Sequence, residues 1–141
     1  MLELTGDIWD YLGTAVIAVT TNGSVTRDGR AVLGRGCARQ AGRHFPALPA
    51  LLGQLIRAHG NHVQLIADGL VSFPVEESAW SLPDPRLIRR SAGELRVLAD
   101  ARQWRRIVVP RPGCGGGGLA WRDVSPLLTD LFDDRFFVIG Q

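Results

Sequence analysis

Short apolar runs rich in β-branched residues alternate along this chain with longer stretches whose apolar positions recur every three to four residues. The short runs predict strands at Leu2–Thr5, Thr14–Thr20, Val63–Ala67, Leu70–Val75, Ile107–Pro110 and Phe136–Ile139. The longer stretches predict helices. Cys37–His44 reads as a short helix, and Leu48–His59 sets Leu51, Leu52, Leu55 and Ile56 on one face before stopping at Gly60. Asp84–Trp104 puts Leu87, Ile88, Ser91, Leu95 and Leu98 on one side and its arginines largely off it, with Asp84-Pro85 as N-cap and first-turn pair. Arg122–Phe132 turns Val124, Leu127, Leu128 and Leu131 inward. Strands alternating with helices predict an α/β domain whose sheet is covered on both faces. An Asp68-Gly69 turn between the third and fourth strands is a hairpin signal, so the sheet is expected to be mixed. No repeat, low-complexity tract or linker divides the chain, and residues 1–141 read as one domain.

Composition narrows the chemistry. With 45% hydrophobic and 21% charged residues over 141 positions, the chain reads neither as a disordered polar polymer nor as a membrane protein. Its longest clean apolar run, Ala15–Val19, falls far short of the ~20 residues of a spanning helix. The first seven residues lack a basic and apolar leader pattern, and Cys37 and Cys114 are too few for a disulfide framework, so the expectation is a cytoplasmic protein; a monomer is expected, although no residue pattern argues for it. All sixteen cations are arginine, which excludes a Walker A loop, a Schiff-base lysine and a Ser–Lys dyad. The formal charge of +2 gives no strongly basic field of the kind that drives non-specific nucleic-acid binding. His44, His59 and His62 have no metal-ligand spacing, and neither metal nor cofactor is expected.

Three loops sit where an open α/β sheet collects ligands, beyond the carboxyl ends of strands. Thr20-Thr21-Asn22-Gly23 ends a predicted strand, and its amide suits a pair of sugar hydroxyls. Leu33-Gly34-Arg35-Gly36-Cys37-Ala38 runs into a helix. Pro110-Arg111-Pro112-Gly113-Cys114-Gly115-Gly116-Gly117-Gly118-Leu119 lies between a strand and the last helix. Glycines so dense contribute no packing; what they allow is close backbone approach, with N–H groups free to meet an anion. Gly113-x-Gly115-x-x-Gly118 also fits the dinucleotide fingerprint, but only 23 residues follow it, too few for the rest of that fold. Two anion-friendly loops and a strand-end amide suggest a nucleotide-sugar diphosphate. Glu76, beside Glu77 just past the fourth strand, is a candidate general base.

These loops, together with Gly6-Asp7-Ile8 after the first strand and the Pro110-Arg111-x-Gly113-Cys114-Gly115…Leu119-x-Trp121 segment, resemble a macrodomain. They are most similar to the branch holding the terminal ADP-ribose protein glycohydrolase and the DNA ADP-ribosyl glycohydrolase antitoxins. The resemblance implies a three-layer α/β/α fold with a mixed sheet of about six strands and an ADP-ribose cleft. In it Asp7 would accept from the adenine amino group, Ile8 would offer a backbone N–H, and Phe137 (or Phe136) would flank the adenine. Asn22 would meet the distal ribose. Gly34, Arg35, Gly36, Cys37 and Ala38, with Gly113, Cys114, Gly115, Gly116, Gly117 and Gly118, would wrap the diphosphate and distal ribose. The expected partners are ADP-ribose and mono-ADP-ribosylated protein, with a nucleic-acid base the less favoured acceptor. This chain departs from the glycohydrolases at two points: Glu76 stands where they carry a lysine, and Gly117 where they carry a catalytic aspartate. The implied activity is therefore hydrolysis by directly attacking water, held by Asn22, by Glu76 or by the ligand's own phosphate. The alternatives are a non-catalytic ADP-ribose reader and a phosphatase acting on ADP-ribose 1″-phosphate.

Overall fold

The computed structural model describes residues 1–140. Strands β1 (Leu2–Thr5), β2 (Val16–Asn22), β3 (Leu65–Ala67), β4 (Leu70–Glu76), β5 (Ile107–Pro110) and β6 (Phe136–Gly140) form one sheet in the order β1-β6-β5-β2-β4-β3. Every neighbouring pair is parallel except β3 with β4, which are antiparallel across the Asp68-Gly69 turn, where Gly69 has φ 76°. The mixed sheet follows from that one hairpin.

Both faces of the sheet are covered, and the period-2 alternation of the strands decides what each face buries. Ala18, Val71, Phe73, Ile107, Val109, Phe136 and Val138 point to one side, against Ile88, Ala92, Leu95 and Ala99 of α3 (Pro85–Arg102) and Val124 of α4 (Trp121–Val124). Ile17, Val19, Leu70, Val108 and Ile139 point to the other, against Ala38 and Ala41 of α1 (Cys37–His44) and Leu48 and Leu52 of α2 (Leu48–His59). The result is the three-layer α/β/α arrangement expected from the sequence. Asp84 caps α3 as anticipated, its carboxylate accepting from the Arg86 N–H at 2.9 Å, and Gly60 ends α2 with φ 89°.

Besides shifts of one or two residues at the ends of β4, α3 and β6, four elements differ from expectation. The last helix covers only Trp121–Val124 and passes into a 3-10 turn over Ser125–Leu127, not Arg122–Phe132. Pro126 lacks an N–H and its ring opposes the carbonyl four residues back, which stops the α ladder. Val124 and Leu128 are buried all the same. A 3-10 turn at Ile8–Tyr11 was not anticipated; Asp7 caps it by accepting from the Trp9 N–H at 3.0 Å. Strand β2 lies two residues later than expected, which makes Asn22 its last residue. Strand β3 starts at Leu65 because the preceding amides leave the ladder: Val63 N–H donates to Glu94 Oε1 at 2.9 Å and Gln64 N–H to Ser72 Oγ at 3.0 Å.

Candidate functional site

The carboxyl ends of the parallel strands open onto one cleft of about 850 Å³, inside the ~300–1,000 Å³ range of small-molecule sites. Gly6, Asp7 and Ile8 follow β1, Asn22 ends β2, Glu76 ends β4, Arg111 follows β5, and Ile139 and Gly140 end β6. Two glycine loops form its sides.

The first loop enters α1. Gly34 and Gly36 take φ 68° and 65°, a backbone region L side chains rarely enter, and Gly36 stands at the N-cap with no side-chain bond to the first-turn amides. The second loop is folded tightly upon itself: Cys114 N–H donates to Arg111 O at 3.2 Å, Gly118 N–H to Gly115 O at 3.3 Å and Leu119 N–H to Gly113 O at 3.0 Å. Those bonds leave the Gly115, Gly116 and Gly117 amides without a partner among the described residues. Cleft-lining amides in that state suit an anion. A Cβ on Gly117 would stand 2.5 Å from Pro83 Cγ and 2.6 Å from Gly113 O, so no side chain fits there. A Cβ on Gly115 would meet nothing within 4 Å.

Arg35 bridges the loops: its Nε lies 3.8 Å from where a Cβ on Gly116 would be. The same guanidinium acts on Glu76. Partial burial pushes the Glu76 carboxyl above its ordinary range, and the charge of Arg35 pulls the other way. Glu76 pairs in register with Asn22 across β2 and β4, after an irregularity between Thr21 and Asn22, so the two lie side by side at one end of the cleft. Asn22 is 5% exposed and its amide is already engaged: Nδ2 donates to Val32 O at 2.9 Å and Oδ1 accepts from Ser24 N–H at 2.9 Å. Burial pushes the Cys37 thiol up to about 12 and the Cys114 thiol upward as well, away from the thiolate a nucleophile needs.

Most of the residues singled out from the sequence line this cleft: Asp7, Ile8, Asn22, Gly34, Arg35, Gly36, Cys37, Glu76, Gly113, Cys114, Gly115, Gly116 and Gly117. Three do not. Ala38 is the second residue of α1 and is buried beneath it against β2. Gly118 has turned out of the cleft with φ 82°. Phe137 is corrected most sharply. It is the second residue of β6, two residues short of the cleft-lining Ile139, with the Arg106 guanidinium 5.6 Å from its ring; Phe136 is wholly buried, stacked on Phe132 at 4.3 Å. Asp7 has one carboxylate oxygen committed to the Trp9 amide.

Aromatic walls the sequence reading did not choose come from elsewhere. Trp9 lines the cleft, donates from Nε1 to Gln40 Oε1 at 2.7 Å and stacks on His44 with centroids 4.5 Å apart. Trp121 lines it too, its ring 5.0 Å below the Arg111 guanidinium and its Nε1 donating to Glu3 Oε1 at 2.7 Å. The available signal was adjacency: Trp9 follows Asp7-Ile8, and Trp121 closes the quoted Leu119-x-Trp121 segment. Arg111 Nε is buried without a hydrogen-bond partner. Among the described residues no three His, Cys, Asp or Glu side chains converge as a metal set would require.

A three-layer α/β/α domain with a glycine-lined cleft, its amides open to an anion, across the strand ends is a recognisable class of ligand-binding fold. Comparison with solved structures specifies it: this is the macrodomain fold. The macrodomain of Mycobacterium tuberculosis DarG superposes with a TM-score of 0.82 at 20% identity, over 100% of this chain and 98% of that one. The macrodomain of Thermus aquaticus DarG gives 0.74 at 19% identity, over 99% and 97%. Thermosipho africanus DarTG, solved in complex with ADP-ribose, gives 0.75 at 16% identity, over 99% of this chain and 41% of that one. No family model matches the sequence, and no curated protein does.

Proposed function

We propose that this chain binds ADP-ribose in the cleft and hydrolyses mono-ADP-ribose from modified protein carboxylates, with water attacking directly. The observation that carries the binding reading is the row of unpartnered amides at Gly115, Gly116 and Gly117 on a loop that shares the cleft with the loop entering α1, with Arg35 beside Gly116 between the two. The ADP-ribose held by the Thermosipho africanus relative supports the choice among diphosphates. The adenosine half lies between Asp7 and the Trp9 and Trp121 walls, and the distal ribose beside Glu76, since the Asn22 amide expected to meet it is already bonded to Val32 and Ser24. There the water oxygen attacks the anomeric carbon and its proton passes to the Glu76 carboxylate. The bond to the acceptor breaks with its electron pair leaving on the acceptor carboxylate. No lysyl adduct can form, since the chain has no lysine. Partial burial raises the proton affinity of Glu76, the direction a general base requires, against the opposing charge of Arg35.

A second reading, binding without turnover, is favoured by Gly117. The aspartate that the resemblance calls for at this position has no room beside Pro83 and the Gly113 carbonyl. One experiment separates the readings: calorimetry with ADP-ribose, and release of ADP-ribose from a mono-ADP-ribosylated protein, for wild type, Gly115→Glu and Glu76→Gln. Micromolar affinity corresponds to about −8 kcal/mol. Gly115→Glu is expected to abolish it, because the new side chain enters open space in the anion cradle without straining the loop. Glu76→Gln is expected to keep affinity and lower the rate by about 10²–10⁴-fold. A wild-type protein that binds and releases nothing leaves the reader.

A further inference from the structure

The two most exposed large apolar side chains, Trp80 at 85% and Leu82 at 83%, stand two residues apart on the segment between β4 and α3. Scattered exposed apolar residues need no explanation, but this pair is displayed on a fastened loop. Ala79 N–H donates to Ser24 Oγ at 2.9 Å, the Ser78 and Ser81 hydroxyls bond at 2.7 Å, Asp84 N–H donates to Val75 O at 2.9 Å, and Pro83 between them is buried. Ala79 and Pro83 line the cleft, so the loop is its rim, and it begins immediately after Glu76. Whatever is joined to the ribose at Glu76 leaves the cleft beside this rim.

We propose that Trp80 and Leu82 form a docking surface for the acceptor polypeptide, taking an apolar residue flanked by a cationic one next to the modified carboxylate. Charge decides the class of partner. The rim segment from Glu76 to Asp84 carries Glu76, Glu77 and Asp84 and no cation of its own, against Arg35 beside Glu76 and Arg86 at the start of α3, so its net charge is acidic and disfavours a phosphate backbone over a cation. The indole face itself accepts a cation as well as an apolar side chain. The proposal rests on the ADP-ribose reading above and deepens it by giving the acceptor a sequence preference.

The test is equilibrium binding, using peptides that carry ADP-ribose on a hydrolysis-resistant linkage at the anomeric carbon. Free ADP-ribose, a Leu-Arg-flanked peptide, a Ser-Asp-flanked peptide and a single-stranded oligonucleotide with the same linkage are compared on wild type and on the Trp80→Ala/Leu82→Ala double variant. Free ADP-ribose is expected to bind both proteins equally, which also shows that the variant is folded. The Leu-Arg peptide is expected to bind wild type about ten- to thirtyfold tighter than free ADP-ribose, as truncation of buried anchors suggests, and to lose that gain in the variant. The other two ligands are expected to gain nothing. Equal affinity of the Leu-Arg peptide and free ADP-ribose for wild type overturns the docking surface while leaving the cleft reading intact. A gain for the oligonucleotide that the variant loses overturns it in favour of nucleic acid, and concentration-dependent dimerisation that the variant abolishes overturns it in favour of a second copy. No binding of free ADP-ribose overturns the cleft reading and the proposal with it.

Discussion

Glu76 and Arg35 are set against one another: burial raises the glutamate's affinity for its proton, and the arginine's charge lowers it. In the proposed reaction Glu76 acts ionised, so any hydrolysis it assists is expected to rise with pH along a limb above the ~4.3 of an unperturbed glutamate. Arg35→Ala removes the opposing charge, and the kcat limb should move to higher pH, read from a rate profile on an esterified substrate. A limb that stays in place when Arg35 is gone would mean that another group holds the water. Residues of this kind were legible in the sequence because loop glycines and a strand-end carboxylate advertise themselves without any knowledge of packing. Asn22 was legible only as a residue at a strand end. That its amide is already spent on Val32 and Ser24 depends on how the 23–32 loop returns, which no local pattern encodes. Phe137 misled for a related reason. Its period-2 position gives the face of the sheet it occupies but not how far along the strand the cleft lies, and Ile139 and Gly140 hold the cleft end.

Among the elements, strands were the most legible, since Ile17, Ala18 and Val19 or Ile107, Val108 and Val109 declare a strand buried on both faces. Helix ends were legible where a cap residue stands, as at Asp84 and Gly60, and the last helix was overdrawn because apolar periodicity outweighed Pro126. Gly53 shows what remains hidden. In the middle of α2 a glycine usually costs about 0.8–1 kcal/mol against alanine, and by propensity Gly53→Ala should stabilise the protein. Here an added Cβ would stand 2.0 Å from the Gly29 carbonyl oxygen, with the 26–31 loop already tied to the helix by Ala31 N–H on Pro49 O at 2.8 Å and by Arg57 on Thr26 O at 2.9 Å. Backbone against backbone cannot yield cheaply. Gly53→Ala is therefore expected to be destabilising by about 1–3 kcal/mol, the usual cost of overpacking, and urea denaturation gives the sign directly. A stabilised variant would show that the loop moves away freely.

Across the whole molecule the two ends of the sheet are given different work. The carboxyl ends hold the glycine loops, whose free amides and positive-φ turns favour a ligand over packing. The other end carries an ion network: Arg135 donates to Asp133 Oδ2 at 2.8 Å and to Asp100 Oδ1 at 2.7 Å, and Arg96 reaches Asp100 Oδ2 at 3.2 Å and Asp133 Oδ2 at 3.7 Å, joining α3 to the start of β6. Hydrogen bonds from Arg135, with the charges of Arg135 and Arg96 adding to them, hold the Asp133 carboxyl down at about 2; Asp100 is lowered by the same two arginines. A carboxylate whose folded value lies below its unfolded one, ~3.9 for aspartate, stabilises the fold fully above the unfolded value and loses that contribution as pH falls towards 2. Asp133 is 37% exposed, so solvent screens the effect and its size is modest. Asp133→Asn is therefore expected to lower stability at neutral pH and to flatten the decline between about pH 4 and pH 2, until the two proteins converge at the acid end. Urea titrations at stepped pH measure this. Because the network lies at the far end of the strands from the cleft, ADP-ribose affinity at pH 7 should not change in the same variant. A change in affinity would mean that the two ends are coupled through the parallel strands between them.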